Sequence, residues 1–174
     1  DMTRAIHAGE TPDPVTGASA PAIHMSSTFI SDSVSGFSAH DLTEDSPFAY
    51  ARWSNPTVQM LEQKLAALQD TEDCLCTASG MAAASAIVFT VLSAGDHMVI
   101  SDVSYAGVAE LARDTLPRMG IHVTPVDMSD LQAVAAAMRP TTKLVHVESP
   151  VNPIMRLTDI AAVSRLAHAA GALV

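Results

Sequence analysis

The 174-residue chain is 48% hydrophobic and 16% charged, and its 19 acidic and 9 basic side chains give a net charge of −10. Its mean hydropathy of +0.25 is typical of a folded globular protein and excludes intrinsic disorder. The acidic balance, without any cluster of lysine or arginine, disfavours binding to nucleic-acid phosphates. The longest apolar stretch, about 12 residues, is shorter than the roughly 20 that a membrane span needs.

The first 55 residues combine many glycines and prolines with little helix or strand periodicity, which predicts an extended N-terminal arm. This arm carries too many apolar side chains for a free tail, and we expect it to pack on a neighbouring subunit. The predicted organisation is therefore an arm over residues 1–55, followed over residues 56–174 by the first part of an α/β domain.

Helices and strands are predicted to alternate from residue 55 onwards. Asn55 is typical of a helix N-cap and Pro56 of a first helical position, and apolar residues at helical spacing continue to Leu68. The later predicted elements are, in chain order, a strand at 74–78, a helix to 92, a strand at 97–101, a helix at 108–118, a strand at 121–126, a helix capped by Ser129 or Asp130 and ending at 138, a strand at 144–147, a helix from Thr158-Asp159 to Gly171, and a further strand from Ala172.

This alternation predicts an α/β fold with a mostly parallel sheet and helices on both faces. Sheets of this kind bind ligands at the carboxyl ends of their strands. We therefore expect the loops at 78–79, 101–105 and 148–152 to share one edge and to carry the chemistry.

The sequence predicts no metal site. Two thiols, at Cys74 and Cys76, lack a second pair and nearby histidines, and they are expected to be small buried residues. The histidines are scattered without ligand spacing. With no secretion signal, a reducing cytoplasm is the expected setting.

The segment from Thr77 to Met81 joins a predicted strand directly to a helix. Backbone N–H groups and the helix dipole at such a point suit an anion, so Ser79, Gly80 and Met81 are candidates for a phosphate site. A plain helix start with a serine cap explains the same residues. Because the segment has neither a Walker ending nor a Gly-x-Gly-x-x-Gly pattern, a bound phosphate would belong to a smaller cofactor.

Three further residues have side chains suited to cofactor binding. Arg52 offers forked donors for phosphate, and Tyr50 adds a hydroxyl on the same side of an extended chain, although Arg52 stacked on Trp53 is the alternative. Tyr105 follows a strand and could cover a planar cofactor or move a proton. The alternative for Tyr105 is an ordinary half-buried loop tyrosine. Asn152, held extended between two prolines, could aim its amide at a cofactor oxygen. The alternative for Asn152 is a simple turn-forming role.

In this order and spacing the segments resemble the Cys/Met-metabolism family of pyridoxal 5′-phosphate (PLP) enzymes. The resemblance covers essentially the whole chain and implies the aminotransferase-like fold (fold type I) and a homotetramer built as a dimer of dimers. It rests on five segments: Thr3–Gly9, Ser26–Phe29, Tyr50–Thr57, Ser79–Met81 and Glu148–Pro153.

The resemblance implies a role for each candidate residue. The backbone of Gly80 and Met81, beside Ser79, would hold the PLP phosphate, and Tyr50 and Arg52 would reach that phosphate from the neighbouring subunit. 

On the cofactor ring, Tyr105 would stack on the pyridine and act as a catalytic proton donor. Asn152 would lie near the phenolic oxygen.

Two essentials of the family have no counterpart here, namely the Schiff-base lysine and the acid on the pyridinium nitrogen. Lys64 falls on the polar face of its helix, and Lys143 begins a strand at the end remote from the ligand edge. We therefore expect this chain to be the N-terminal portion of a longer enzyme, with the lysine and the acid beyond Val174.

The activity that the resemblance implies is γ-elimination by a carbon–sulfur lyase on substrates such as cystathionine, methionine or homocysteine. Methionine γ-lyases carry a cysteine two residues after the stacking tyrosine, and Gly107 in that place argues against this specialised reaction. The alternative is γ-replacement, as in cystathionine γ-synthase or O-acylhomoserine sulfhydrylase. A second alternative is a non-catalytic PLP-fold fragment or oligomerisation partner.

Overall fold

The computed structural model describes residues 2–30 and 46–174, so part of the predicted arm, including 31–45, lies outside the described residues. The chain divides into two compact units, Asp1–Cys76 and Thr77–Val174. None of the helices in the described parts is both long and apolar enough to cross a membrane.

The first unit contains two described helices, α1 over Met2–His7 and α2 over Pro56–Gln69. Helix α1 was not predicted, because the glycines and prolines that follow it dominate the pattern of the arm. Helix α2 begins as predicted, with the Asn55 side chain accepting a hydrogen bond of 2.9 Å from the backbone N–H of Thr57.

One lysine joins the two helices of the first unit. The Lys64 Nζ donates to the backbone carbonyl of Ile6 at 2.9 Å and forms a salt bridge with Glu10. This side chain is mostly buried by those contacts, so the amine of Lys64 has a structural role within its own unit.

The second unit is an α/β layered structure. Its elements are, in chain order, α3 over Gly80–Val91, β1 over His97–Ser101, α4 over Ala106–Glu110, a π-helical turn over Leu111–Thr115, a 3₁₀ turn over Pro117–Met119, β2 over His122–Val126, α5 over Leu131–Ala137, β3 over Thr142–His146 and α6 over Ile160–Ala169.

The three strands form a parallel sheet in the order β2-β1-β3. In its register Met98 lies opposite Val123 on one side and Leu144 on the other. Leu173 adds a parallel bridge to Leu144, where a further strand was expected to begin. The predicted mostly parallel sheet is thus confirmed.

Alternate residues of the strands supply a core on each face of the sheet. On one face Met98 and Ile100 pack with residues of α3, α4 and the π-helical turn. On the other face Val99 and Val145 pack with residues of α5 and α6, including Val163, which is fully buried. Helices therefore cover both faces, as the sequence predicted, because successive strand residues point in opposite directions.

Two predicted elements were wrong. Residues 74–78 form no strand, because the Cys76 N–H donates to the Glu62 carboxylate at 2.8 Å rather than to a neighbouring strand. The single helix predicted at 108–118 begins earlier and changes character, since Pro117 has no N–H to continue it. The helix widens to the π-helical turn, in which the Leu116 N–H donates to the Leu111 carbonyl. A 3₁₀ turn follows, and the helical segment ends at Gly120.

Candidate functional site

The N-terminus of α3 is an exposed set of backbone donors. Ser79 is its N-cap, and its Oγ accepts a hydrogen bond of 3.1 Å from the N–H of Ala82. Gly80 and Met81 occupy the first turn, where N–H groups have no acceptor within the helix. A Cβ placed on Gly80 would meet no atom within 4 Å, so open space lies in front of this backbone.

Tyr105 and Met81 converge on Gly107. A Cβ placed on Gly107 would lie 2.9 Å from the Met81 Sδ and 2.9 Å from the Tyr105 Cε1. Tyr105 is 49% exposed and is the N-cap residue of α4. The structure therefore brings two of the predicted site residues together near the start of α3, with a glycine between them.

Glu148 connects the loop after β1 to the loop after β3. Its Oε2 accepts a hydrogen bond of 2.8 Å from the backbone N–H of Tyr105, and its Oε1 accepts one of 2.9 Å from the backbone N–H of Asn152. Two residues that lie 47 positions apart in the sequence are in this way held by one carboxylate.

The segment around Asn152 is a tight turn rather than the extended chain that we predicted. The Val151 N–H donates to the Arg156 carbonyl at 2.9 Å, and the Met155 N–H donates back to the Val151 carbonyl at 2.7 Å. Met155 has a positive φ of 56° in this turn. The flanking prolines do not prevent the turn, since its closing bonds use the N–H groups of Val151 and Met155 and none from a proline.

Arg156 extends this network across the sheet edge. Its guanidinium forms salt bridges with Asp102, directly after β1, and with Asp127, directly after β2, where the nitrogen–oxygen distance is 3.0 Å. The Ser129 hydroxyl and N–H, followed by Arg156, lower the pKa of the Asp127 carboxyl. The carboxyl ends of all three strands thus meet at one edge, as predicted.

His146 is the last residue of β3, and its imidazole is partly buried. Burial lowers the pKa of His146 below its ordinary value, while the negative charge of Glu148 acts in the opposite direction. Across residues 2–30 and 46–174, no three His, Cys, Asp or Glu side chains come close enough to hold a metal ion.

Tyr50 and Arg52 form a pair in the first unit. The Arg52 Nη2 donates to the Tyr50 hydroxyl at 2.7 Å, and the guanidinium lies 5.0 Å from the centre of the Tyr50 ring. Tyr50 in turn meets Trp53 edge-on. The two side chains share one side as predicted, but through a turn at residues 51–53 rather than through an extended chain, and Arg52 stacks on Tyr50 instead of Trp53.

Sequence reasoning assigned no role to Glu148 or Arg156. A signal was present, because an acidic residue follows each strand: Asp102 and Asp127 immediately, and Glu148 two residues after β3. That pattern places carboxylates at the ligand edge, but it does not show which backbone groups or cations they bind.

Comparison with known proteins identifies the family of this chain. The family model described as Cys/Met metabolism PLP-dependent enzyme matches residues 2–174. The chain belongs to this family.

Relatives within the family have more than one activity. A cystathionine gamma-synthase of Mycobacterium tuberculosis is 43% identical over 94% of this chain and 40% of its own length. An L-methionine gamma-lyase of Fusobacterium nucleatum subsp. polymorphum is 42% identical over 95% of this chain and 42% of its own length. The chain therefore spans about two fifths of the length of these relatives.

A solved structure of the same family supports the fold. The cystathionine gamma-lyase from Lactobacillus plantarum, complexed with L-serine, superposes with a TM-score of 0.85 at 37% identity. The superposition covers 98% of this chain and 42% of the Lactobacillus chain. The aminotransferase-like PLP fold expected from the sequence is confirmed for these residues.

The residues of the second unit fit the PLP of this family. A phosphate dianion suits the free N–H groups and open space at the N-terminus of α3, where the helix dipole favours negative charge. The Tyr105 ring is exposed close to the same helix turn and is available to cover a planar group. Lys143, by contrast, lies at the amino end of β3, away from this edge.

Proposed function

We propose that this chain supplies the phosphate-binding and ring-covering part of a PLP-dependent enzyme that cleaves sulfur amino acids by γ-elimination. The observation that carries the proposal is the exposed N-terminus of α3 with Tyr105 beside it, in a chain of the Cys/Met-metabolism family. PLP, when bound, supplies an electron sink that stabilises negative charge next to the substrate amine.

Backbone groups of the second unit would bind the cofactor phosphate, and its side chains would contact the cofactor ring and the substrate. The N–H groups of Gly80 and Met81 bind the phosphate, and Ser79 keeps the helix turn in shape through its cap. Tyr105, which is half exposed, would cover the ring, and its hydroxyl would donate a proton to the sulfur leaving group. Asn152, held at the same edge by Glu148, directs its amide towards the phenolic oxygen.

Tyr50 and Arg52 are proposed to act in the site of a neighbouring subunit. Their paired hydroxyl and guanidinium form a compact donor group, and Arg52 is exposed. The arm, proposed as residues 1–55, also presents apolar side chains that its own unit leaves uncovered, among them Met25 at 89% and Ile30 at 99% exposure. A homotetramer arranged as a dimer of dimers would cover these surfaces and complete the site.

Residues 56–174 are proposed to be the first part of the PLP-binding domain of a longer chain. The lysine that binds PLP covalently and the acid on its ring nitrogen would lie in the rest of that chain. Neither lysine of this chain is suitable, since Lys64 is paired with Glu10 and Lys143 lies at the opposite edge. Relatives that are more than twice as long leave room for both groups.

Gly107 argues against a lyase specialised for methionine. A side chain there would have to displace the Met81 or Tyr105 side chain, and the cysteine typical of that branch is missing. The second candidate function is γ-replacement, favoured by the 43% identity to a cystathionine gamma-synthase. A non-catalytic oligomerisation partner is the remaining alternative.

Two measurements on the complete protein test the activity. Absorbance of bound PLP and release of a 2-oxo acid from cystathionine or homocysteine are expected for the lyase. If the 2-oxo acid forms only from an activated homoserine and falls when cysteine or sulfide is added, the transferase is correct. A protein that binds no PLP and converts no substrate would contradict both and leave the oligomerisation partner.

Subunit mixing tests the neighbouring-subunit role. Arg52→Ala and Tyr105→Phe are each expected to be nearly inactive. If the two residues serve one site from different subunits, a reassembled mixture recovers about a quarter of the wild-type activity, because half of the dimers are hybrids with one intact site of two. A mixture no more active than its parents would show that both residues act within one subunit.

A further inference from the structure

We propose that Glu148 is a positioning residue that sets the mutual placement of Tyr105 and Asn152 at the PLP site. The inference rests on the proposed function for its catalytic meaning, but the contact itself is independent of it. Glu148 acts through the backbone of both residues and touches neither the substrate nor the cofactor in this proposal.

The geometry is that of a two-armed clamp. Each carboxylate oxygen of Glu148 accepts one backbone N–H, from Tyr105 at 2.8 Å and from Asn152 at 2.9 Å. An ionised carboxylate is purely an acceptor and bonds to N–H groups more strongly than a neutral oxygen does. No neutral side chain of similar length can accept on both of its terminal atoms.

Both anchored residues lie where the backbone needs an outside acceptor. Tyr105 is the N-cap of α4, so its N–H precedes the helix and receives no partner from it. The Asn152 N–H lies inside the turn, whose closing bonds belong to Val151 and Met155. Glu148 supplies the acceptor in both places, and its own position is set by β3, which ends two residues earlier.

The clamp differs in effect from the neighbouring Arg156 network. Arg156 joins Asp102 and Asp127 and holds the strand ends together through side chains alone. Glu148 bonds directly to the two residues that are proposed to face the cofactor. Loss of Glu148 should therefore change how Tyr105 and Asn152 are placed while the sheet remains intact.

Hydrogen exchange of the complete protein tests the contact without any reliance on activity. In Glu148→Ala, the amides of Tyr105 and Asn152 are expected to exchange about tenfold faster or more, while those of His97–Ser101 are unchanged. The assignment is practical because, between Pro150 and Pro153, only Val151 and Asn152 carry an N–H. 

Two further variants make the exchange test specific. Glu148→Gln retains the side-chain shape but offers one acceptor oxygen, so one of the two amides should be released and the other retained. Glu110→Ala, which removes an exposed carboxylate from α4, is the matched control and should leave both amides as in the wild type.

Kinetics complete the test. For Glu148→Ala and Glu148→Gln, kcat is expected to fall about tenfold or more with little change in KM, since misplacement of Tyr105 affects the proton transfer step. Unchanged exchange at both amides, or a kcat equal to that of Glu110→Ala, would overturn the inference. If exchange rises as expected but the protein neither binds PLP nor acts on sulfur amino acids, the clamp stands and the proposed function fails.

Discussion

At Tyr105 the backbone and the side chain have different tasks. The backbone N–H is bound by Glu148 and the carbonyl accepts from the N–H groups of Val108 and Ala109 at 3.0 Å, so the residue is anchored at both ends. The ring remains half exposed beside Met81. This arrangement fixes the origin of the side chain while about half of the residue stays exposed.

Removing that hydroxyl is therefore expected to affect chemistry more than binding. Tyr105→Phe should lower the kcat of γ-elimination by about 100-fold or more, because a general acid contributes on this order. The PLP content, measured by absorbance after dialysis, should match the wild type, since the ring and the donors of α3 are retained. Unchanged turnover would show that another group protonates the leaving sulfur.

At the level of elements, two helix caps allow an effect on stability to be distinguished from an effect on cofactor binding. Ser79 caps α3 through a bond to Ala82, and Asp130 caps α5 through bonds of 2.9 and 3.1 Å to the N–H groups of Gln132 and Ala133. The first cap lies at the proposed phosphate site, whereas α5 packs on the opposite face of the sheet from α3.

Alanine at either cap should cost about 1 kcal/mol in free energy of unfolding, measured by urea denaturation. Only Ser79→Ala is expected also to weaken PLP binding, because the first turn of α3 loses the bond that keeps its N–H groups aligned. Equal PLP affinity for Ser79→Ala and Asp130→Ala would contradict a phosphate site at α3.

At the scale of the whole molecule, the His97 side chain of β1 links to a threonine in each of the two neighbouring strands. Its Nδ1 is 2.7 Å from the Thr142 Oγ1 and its Nε2 is 2.8 Å from the Thr124 Oγ1, and the residue is fully buried. Burial, followed by the positive charges of Arg139 and His122, lowers the pKa of His97 to about 4. The imidazole is therefore neutral in the folded state near neutral pH.

This burial predicts acid sensitivity in a defined range. Between the unfolded pKa of about 6.5 and the folded pKa, the unfolded chain binds a proton that the folded chain does not. The free energy of unfolding should therefore be unaffected by His97 above that range and fall as the pH decreases towards 4, by on the order of 2–3 kcal/mol in total.

Urea denaturation at several pH values measures this effect. His97→Gln should be less stable than the wild type at neutral pH, and the difference should narrow as the pH falls. His168→Gln, at the exposed end of α6, is the control and should retain the pH dependence of the wild type. A pH dependence equal in all three proteins would contradict the role of His97.

Features that depend on neighbouring positions were predictable from the amino acids. Asn55, Ser79 and Asp130 cap the helices that they precede, because a cap needs only a polar side chain and an N–H group two or three residues later. The parallel sheet with helices on both faces follows from the alternation of apolar segments, and the ordered motifs identify the family.

Features that depend on partners far along the chain were decided by folding in three dimensions. Residues 74–78 have the composition of a strand, but within 2–30 and 46–174 no strand pairs with them, and the N–H groups of Cys74 and Cys76 donate to the side chains of Asp73 and Glu62. The Glu148 carboxylate binds Tyr105 across a separation of 43 residues, which no local pattern specifies. The physical reason is that a hydrogen bond or a strand pairing is satisfied by whichever group lies within about 3 Å, and chain packing alone determines which group that is.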